Sequence, residues 1–445
     1  MASQTYAMRK AALLRQFAAG SGTPGLRKAT SNLFRDRQKG KSQRLDVRDF
    51  QNVLGVDPAA GWIESEGMTT YEDLVLATLA CGSMPAVVPQ LKTITLGGAV
   101  AGVGIEATSF RRGLVHHAVT EMEILTGDGS LRLCTPDNEH SDLFFGFPNS
   151  YGTLGYALRV RTQTQPVKKF VRIEHERFSD PGIYFQAVAA RCDSDADFLD
   201  GAVFAPDEMI LTTARFVDEA PFLSDYTFEN IYYRSLQEKE VDYLSVHDYL
   251  WRWDTDWFWC SKNLGAQNPL VRKMFGPERL NSRTYTKIMR WNSRWKLTSA
   301  LDKLARKHRE SVIQDVDIPV ARAPEFLDFF LREIGILPVW ICPIRTPVPA
   351  RRFPLYPMDA ATTYVNFGFW DVVKSRTEHP PGHFNRLIER KVVELGGIKS
   401  LYSDSYFSRE EFDSIYGGPA YRELKSRYDP QNRLRDLYEK CVLKK

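Results

Sequence analysis

The sequence predicts an α+β protein, and three observations carry the prediction. Short segments that alternate apolar and polar residues fill the first third of the 445-residue chain. Glycine-rich turns, not long helices, join them. Farther along, several longer stretches take up the 3.6-residue period of amphipathic helices. A chain of this length can bury two or three hydrophobic cores.

The first 25 residues read as an extension built on one amphipathic helix, Tyr6–Phe17. Residues 26–167 read as the first domain. Arg44–Val47, Gly61–Gly67, Thr120–Leu125 and Ser130–Cys134 alternate as half-buried strands do. Thr69–Gly82 predicts a helix: Thr69 or Thr70 can cap it, Glu72 and Asp73 suit its positive end, and Gly82 follows it. Tyr151–Val167 predicts a glycine turn feeding a long strand.

Residues 168–400 read as a second, substrate-binding unit. Trp251, Trp253, Trp257 and Trp259 recur at period two and predict one face of a strand. Lys296–Glu310 and Ala323–Gly335 predict helices, and Val348–Pro357 is a loop rich in Pro and Arg. The strand TTYVNFGFW and the helix FNRLIERKVVELGG follow. Residues 401–445 close the chain with a terminal helix. Within them Tyr402, Asp404 and Tyr406 alternate and predict a shared strand face.

A net charge of +4 gives no reason to expect a nucleic acid partner. The six cysteines are scattered without a C-x-x-C pair, which predicts reduced thiols and no metal site. No apolar run is long enough to span a bilayer, and no secretory h-region opens the chain, so we expect a cytoplasmic protein. Tyr6–Phe17 and the basic stretch Arg27–Arg44 would suit peripheral docking at the inner face of a membrane. A plainly solvated helix is the competing reading.

The densest signal lies at Gln90–Gly129. Gly97, Gly98, Gly102, Gly104 and Gly113 stand close together, and a Gly-Asp-Gly turn follows. Glycine lets a backbone approach a ligand closely, and successive N–H groups suit a pyrophosphate. Gly102-Val-Gly104-Ile-Glu-Ala107 fits the Rossmann pattern, with Glu121 or Glu123 as the ribose acid. The context opposes it: no sustained helical period follows Gly104, and Gly113 interrupts the segment. A ligand-free glycine bend is the other alternative.

TITLGGAV at Thr93–Val100, GVGIEATS, GLVHH and SYGTLGYA at Ser150–Ala157 together resemble the vanillyl-alcohol-oxidase (PCMH-type) FAD-binding domain. VVPQLKTITLGG, TGDGS, SDLFF, VIQD, LPVWICP and LYSDSYFSREEF extend the resemblance to one branch, the Δ24-sterol reductases and the bacterial reductases of 10-methylene fatty acyl chains. It runs from about Leu26 to Cys441. It implies a PCMH-type FAD-binding domain followed by an α+β cap domain. Leu26–Asp36 holds no His or Cys for covalent attachment, so non-covalent FAD is implied, with NADPH or NADH as donor. The sterol reductases also carry an N-terminal membrane segment that this sequence does not show.

The resemblance implies a cofactor set. Arg27, Lys28, Ser31 and Asn32 would form one phosphate-side loop. Thr95, Gly97, Gly98, Gly102, Gly104 and Ile105 would form the pyrophosphate loop. Glu106, Ser109 and His117 would line the ribityl chain or ring edge, Gly152 and Gly155 would pass close by, and Tyr402 would lie near the isoalloxazine. Tyr402, Asp404, Gln314 and Asp315 are the candidate proton donors. Trp257, Trp259, Trp340 and Tyr406 are candidate walls for a lipid substrate. The implied activity is reduction of a lipid carbon–carbon double bond, in a methylene-branched acyl chain or a sterol-like side chain. An FAD-dependent alcohol or sugar oxidase or dehydrogenase is the alternative, and a degenerate flavin scaffold is a third reading.

Overall fold

A computed structural model describes residues 5–20, 22–29, 43–295, 308–375 and 377–444. Helix α1 (Tyr6–Ala19) starts at Thr5, whose hydroxyl accepts the Met8 N–H. Its buried stripe is Arg9, Leu13 and Phe17, spaced one turn apart. Leu13 and Phe17 pack on Leu45, Phe50, Leu125 and Leu158, and Arg9 pairs with buried Glu66. The apolar face expected to be available for lipid is therefore covered by the protein itself. Among the described residues, no helix is long and apolar enough to cross a membrane.

Strands β1 (Pro24–Arg27) and β2 (Gln43–Asp46) pair in parallel. The first large sheet contains β3 (Val53–Asp57), β4 (Trp62–Glu66), β5 (Ser83–Pro85), β6 (Val119–Thr126), β7 (Leu131–Cys134) and β8 (Gly155–Pro166). Its order is β3-β4-β8-β6-β7, with β5 also on β8. The period-two segments form these strands because alternate residues face a core containing Ile63, Met122, Ile124 and Val160. Helix α2 (Tyr71–Leu79) is capped by Thr70, as its sequence predicts.

The second sheet contains β9 (Phe170–Phe178), β10 (Phe198–Ala205), β11 (Glu208–Val217), β12 (Val241–Ser245), β13 (His308–Pro319), β14 (Val339–Ile344), β15 (Tyr364–Ser375) and β16 (Ile398–Lys399). Its order is β12-β9-β11-β10-β14-β15-β13-β16, antiparallel throughout. Helices Pro181–Arg191, Ala323–Glu333 and His383–Glu394 cover one face. There Phe326, Phe330 and Ile388 meet Val312, Val316, Phe367 and Phe369. The alternate residues of the same strands face the first domain and the tryptophan loop.

Three predicted elements differ. Trp251–Trp259 is a run of turns, not a strand. Trp257 and Phe258 take left-handed φ values of 45° and 59°, which fold the segment so that all four tryptophans are buried. Tyr402–Tyr406 is irregular rather than extended. Of the helix predicted over Lys296–Glu310, residues 296–307 lie outside the described set, and His308–Glu310 opens β13.

Candidate cofactor and proton-transfer site

Two turns of the first domain meet at its border with the second sheet. One is the glycine segment, where Thr95 caps α3 (Leu96–Ala101) and its hydroxyl accepts the Gly98 N–H. Val103, between Gly102 and Gly104, holds φ 52°. The other is Asn149–Gly152, with φ 63° at Asn149, 50° at Tyr151 and 76° at Gly152. Left-handed backbone at a β-branched or aromatic residue costs energy and persists only where surrounding contacts enforce it. Here the turns enforce each other: the Tyr151 N–H donates to Ala101 O at 3.2 Å and its hydroxyl to Gly102 O at 3.4 Å. Lys440 and Lys425 pin the second turn by donating to the carbonyls of Tyr151 and Thr153.

Buried polar atoms around these turns lack protein partners among the described residues: both His116 nitrogens, Asn149 Oδ1 and Ser150 Oγ. Unpaired buried polar groups are costly unless something else satisfies them. A ligand bearing several hydroxyls, phosphates and ring heteroatoms would do so.

The inner face of the second sheet carries the titratable groups. Register places Trp340, Gly368 and Asp315 in one row across β14, β15 and β13, with Cys342, Asn366 and Asp317 in the next. Asp315 is half-buried, with its Oδ1 shielded from solvent, and is hydrogen-bonded to the Tyr402 hydroxyl, which accepts the Trp370 Nε1–H at 2.9 Å. Burial, then the nearby Asp317 carboxylate, pushes the Asp315 carboxyl up to about 8. Asp317 is raised to about 6 by burial, offset in part by hydrogen bonds from Tyr356 and Asn366. Gly368 makes room for this group: a Cβ there would lie 2.8 Å from Asp315 Oδ1 and 2.6 Å from the Trp370 ring. Phe258 packs against Trp370 at 4.3 Å and Trp340 at 5.5 Å, and Trp259 lies 5.6 Å from Trp370. The result is an acid that stays protonated near neutral pH beside an aromatic wall.

A second buried cluster joins the two halves. Arg252 donates to Glu106 at 3.2 Å and to Asp200 at 2.9 Å, and Trp340 Nε1–H donates to Asp200 at 3.2 Å. Burial outweighs the attraction of Arg252 and raises Glu106 to about 7. Backbone bonds reinforce the joint: Leu199 N–H to Ala107 O, and Arg345 N–H to Ser109 O.

The FAD binding domain family matches residues 17–135. That segment contains the glycine turn and the His116 side chain whose nitrogens lack partners among the described residues. This protein has an FAD-binding domain. The chain is also similar to the Delta(24)-sterol reductase of Homo sapiens, 26% identical over 94% of this chain and 81% of that one. The Delta(24)-sterol reductase of Pisum sativum is 23% identical over 91% and 77%. Cytokinin dehydrogenase 7 of Oryza sativa subsp. japonica is 33% identical over 27% of this chain and 23% of its own. The similarity to sterol reductases extends through the second sheet, so the aromatic face and Asp315 lie within it.

Within the FAD-binding domain the expected residues divide. Gly102 and Ile105 are partly exposed in the strained turn, and Gly152 lies in the adjoining one. Gly97 is committed elsewhere: its N–H donates to Gly67 O at 2.9 Å, and a Cβ there would lie 2.8 Å from that oxygen. Gly104 donates to Ala99 O, and Gly155 crosses Leu125 O too closely for a Cβ. These three glycines permit close backbone packing rather than offering free donors. Ser109 Oγ accepts the Glu106 N–H, so Glu106 and Ser109 belong to the inter-domain joint. His117 Nδ1 accepts the Leu114 N–H, and burial lowers its pKa to about 4, a neutral structural imidazole. Arg27 is exposed near Asp46, Lys28 is partly exposed, and Ser31 and Asn32 lie outside the described residues.

On the second sheet, Asp315, Tyr402, Trp340 and Trp259 come together. Gln314 does not: strand alternation turns it to the helix-covered face, where its amide donates to Asn385. Asp404 pairs with Lys444. Tyr406 lies beneath Arg386 and beside Gly382, away from the tryptophan wall. Trp257 stacks on Tyr285. Gln90, Asn149, Ser150, Arg252, Asp200, Phe258, Gly368 and Trp370 were not singled out as site residues. Gln90, in VVPQLKTITLGG, and Ser150, in the SYGTLG segment, carried a local signal. The others depend on pairings between distant parts of the chain.

Proposed function

We propose that the protein is an FAD-dependent reductase of a lipid carbon–carbon double bond, in a methylene-branched acyl chain or a sterol-like side chain, with NADPH or NADH as electron donor. The observation that carries this reading is Asp315, a half-buried carboxyl with a raised pKa set against an aromatic wall. The residues fit non-covalent FAD, since unpartnered buried polar atoms and strained backbone gather at the glycine segment of its binding domain and at the Asn149–Gly152 turn bonded to it. FAD supplies hydride transfer when bound.

An isolated alkene has no carbonyl to polarise it, so reduction needs a proton delivered as hydride arrives. In the proposed reaction the Asp315 carboxyl provides that proton to one alkene carbon. Tyr402, fixed by Trp370 and hydrogen-bonded to Asp315, holds the carboxyl in place. Trp340, Trp370, Phe258 and Trp259 exclude water and accept an apolar chain. The four aromatic rings beside Asp315 suit an apolar chain better than a polyol, which disfavours the sugar-oxidase alternative. The proposed location is cytoplasmic, peripheral to the membrane.

The test is anaerobic. The yellow protein is reduced with NADPH or NADH, and methylene-branched phospholipid or a Δ24-unsaturated sterol is added. Reoxidation of the flavin with formation of the saturated lipid supports the reading. Inertness to both lipids, with rapid turnover of an alcohol or sugar, overturns it.

A further inference from the structure

The second half bears a surface that the proposed reaction does not use. Helix Pro269–Phe275 projects Leu270 and Met274, one turn apart, into solvent, at 74% and 80% exposed. They are the two most exposed large apolar side chains among the described residues. Lys273 is exposed between them, and exposed Leu223 lines the same surface cleft as Pro269 and Lys273. Single exposed apolar residues need no explanation, but a pair on one helical turn beside an exposed lysine does, although the cleft that Lys273 lines also holds exposed Asp225, Glu229 and Glu238.

The charge here is equally uneven. Arg272–Trp295 contains seven Lys or Arg and one Glu, a net +6. The whole chain carries +4, so all its other residues together carry −2. Of the seven cations, Lys273, Arg279, Arg283 and Lys287 are exposed, with Arg283 paired to Glu72, whereas Arg272 is buried against Asp256. On the helix Ser282–Trp295, exposed Arg283 and Lys287 stand one turn apart, with partly exposed Ile288 beside them. Basic residues mixed with large apolar ones match a lipid surface, where both the headgroup charge and the acyl boundary find partners. A nucleic acid backbone would match the cations but leave Leu270 and Met274 in water.

We propose that helices Pro269–Phe275 and Ser282–Trp295 dock the protein onto an anionic lipid bilayer. The second helix is fastened to the tryptophan loop. The Ser282 hydroxyl donates to Asp254, the Tyr285 hydroxyl donates to Thr255 O at 2.8 Å, and Trp257 stacks on Tyr285. The docking face is thus continuous with the loop whose Phe258 and Trp259 touch Trp370. This places the aromatic wall beside the bilayer from which a lipid would enter. The docking does not depend on the identity of the reaction.

Co-sedimentation with vesicles tests it, using phosphatidylcholine alone or mixed with phosphatidylglycerol at ~0.15 M salt. The flavin-loaded protein should bind the mixed vesicles at least ~10-fold more tightly than the neutral ones. Lys273→Glu with Lys287→Glu should reduce that binding ~10-fold or more. Leu270→Ser with Met274→Ser should also weaken it, by roughly 10-fold. Both double variants should keep flavin absorbance and turnover of detergent-solubilised substrate. Equal binding to both vesicle types, or variants that bind as the parent does, would overturn the proposal. So would retention of duplex DNA without retention of vesicles, which would assign the face to nucleic acid instead.

Discussion

The two faces of the second sheet are made by the same strands and do opposite things. On the helix-covered face, Val312, Val316, Phe367 and Phe369 form an apolar core. On the inner face, one residue along, stand Asp315, Asp317, Asn366 and Trp340. Strand alternation alone separates them. Packing and chemistry can therefore be varied on adjacent residues of one strand with little direct contact between them.

Substitutions can break that separation or sharpen it. Asp315→Asn should lower the turnover of an alkene substrate by ~100-fold or more, since general acid catalysis is typically worth that much. Its stability should move the other way. Asp315 has a raised folded-state pKa, so its stability contribution is fully present below the ordinary carboxylate pKa near 3.8. That contribution is lost as pH rises through about 8. Above pH 8, Asp315→Asn should be more stable than the parent by a few kcal/mol, read by urea unfolding. A variant that is slower and less stable at every pH would place Asp315 in the packing rather than the chemistry.

On the opposite face, Phe367→Ala should cost about 3–5 kcal/mol of stability while leaving the Asp315-dependent pH profile in place. Gly368→Ala sits between the two behaviours. Its Cβ would press on the Asp315 carboxyl and the Trp370 ring, so turnover should fall by roughly 10-fold for a stability loss of about 1–3 kcal/mol. The smallest effect belongs to Tyr402→Phe. The Tyr402 hydrogen bond lowers the Asp315 pKa, so its removal should shift the alkaline limb of the rate profile upward from about pH 8. A downward shift would count against Asp315 as the acid.

Local signals in the sequence read well. Thr70 ahead of Glu72 and Asp73 marks α2, and the alternation of TEMEIL marks β6. Signals that depend on distant neighbours did not. The tryptophans at period two imitate a strand, because nothing local announces left-handed backbone at Trp257 and Phe258. Gln314 and Asp315 are adjacent, so only one can face the site, and the choice is set by how β13 pairs with β15. The Glu106–Arg252–Asp200 cluster draws on three remote segments, and no motif joins Glu106 of GVGIEATS to the other two. The dense glycines pointed to the right domain, yet Gly97 and Gly155 serve backbone crossings, a use that the same residue type cannot distinguish from ligand binding.

The lysine pins on the Asn149–Gly152 turn have a consequence for how the protein is made. Lys440 contacts Tyr151 across 289 residues of sequence, and Lys425 contacts Thr153 across 272. A ribosome completes the glycine turns long before it produces the lysines that hold them. Contacts this far apart in sequence form late. The two turns are therefore finished after most of the chain has emerged, and an FAD-binding domain produced alone would lack these clamps.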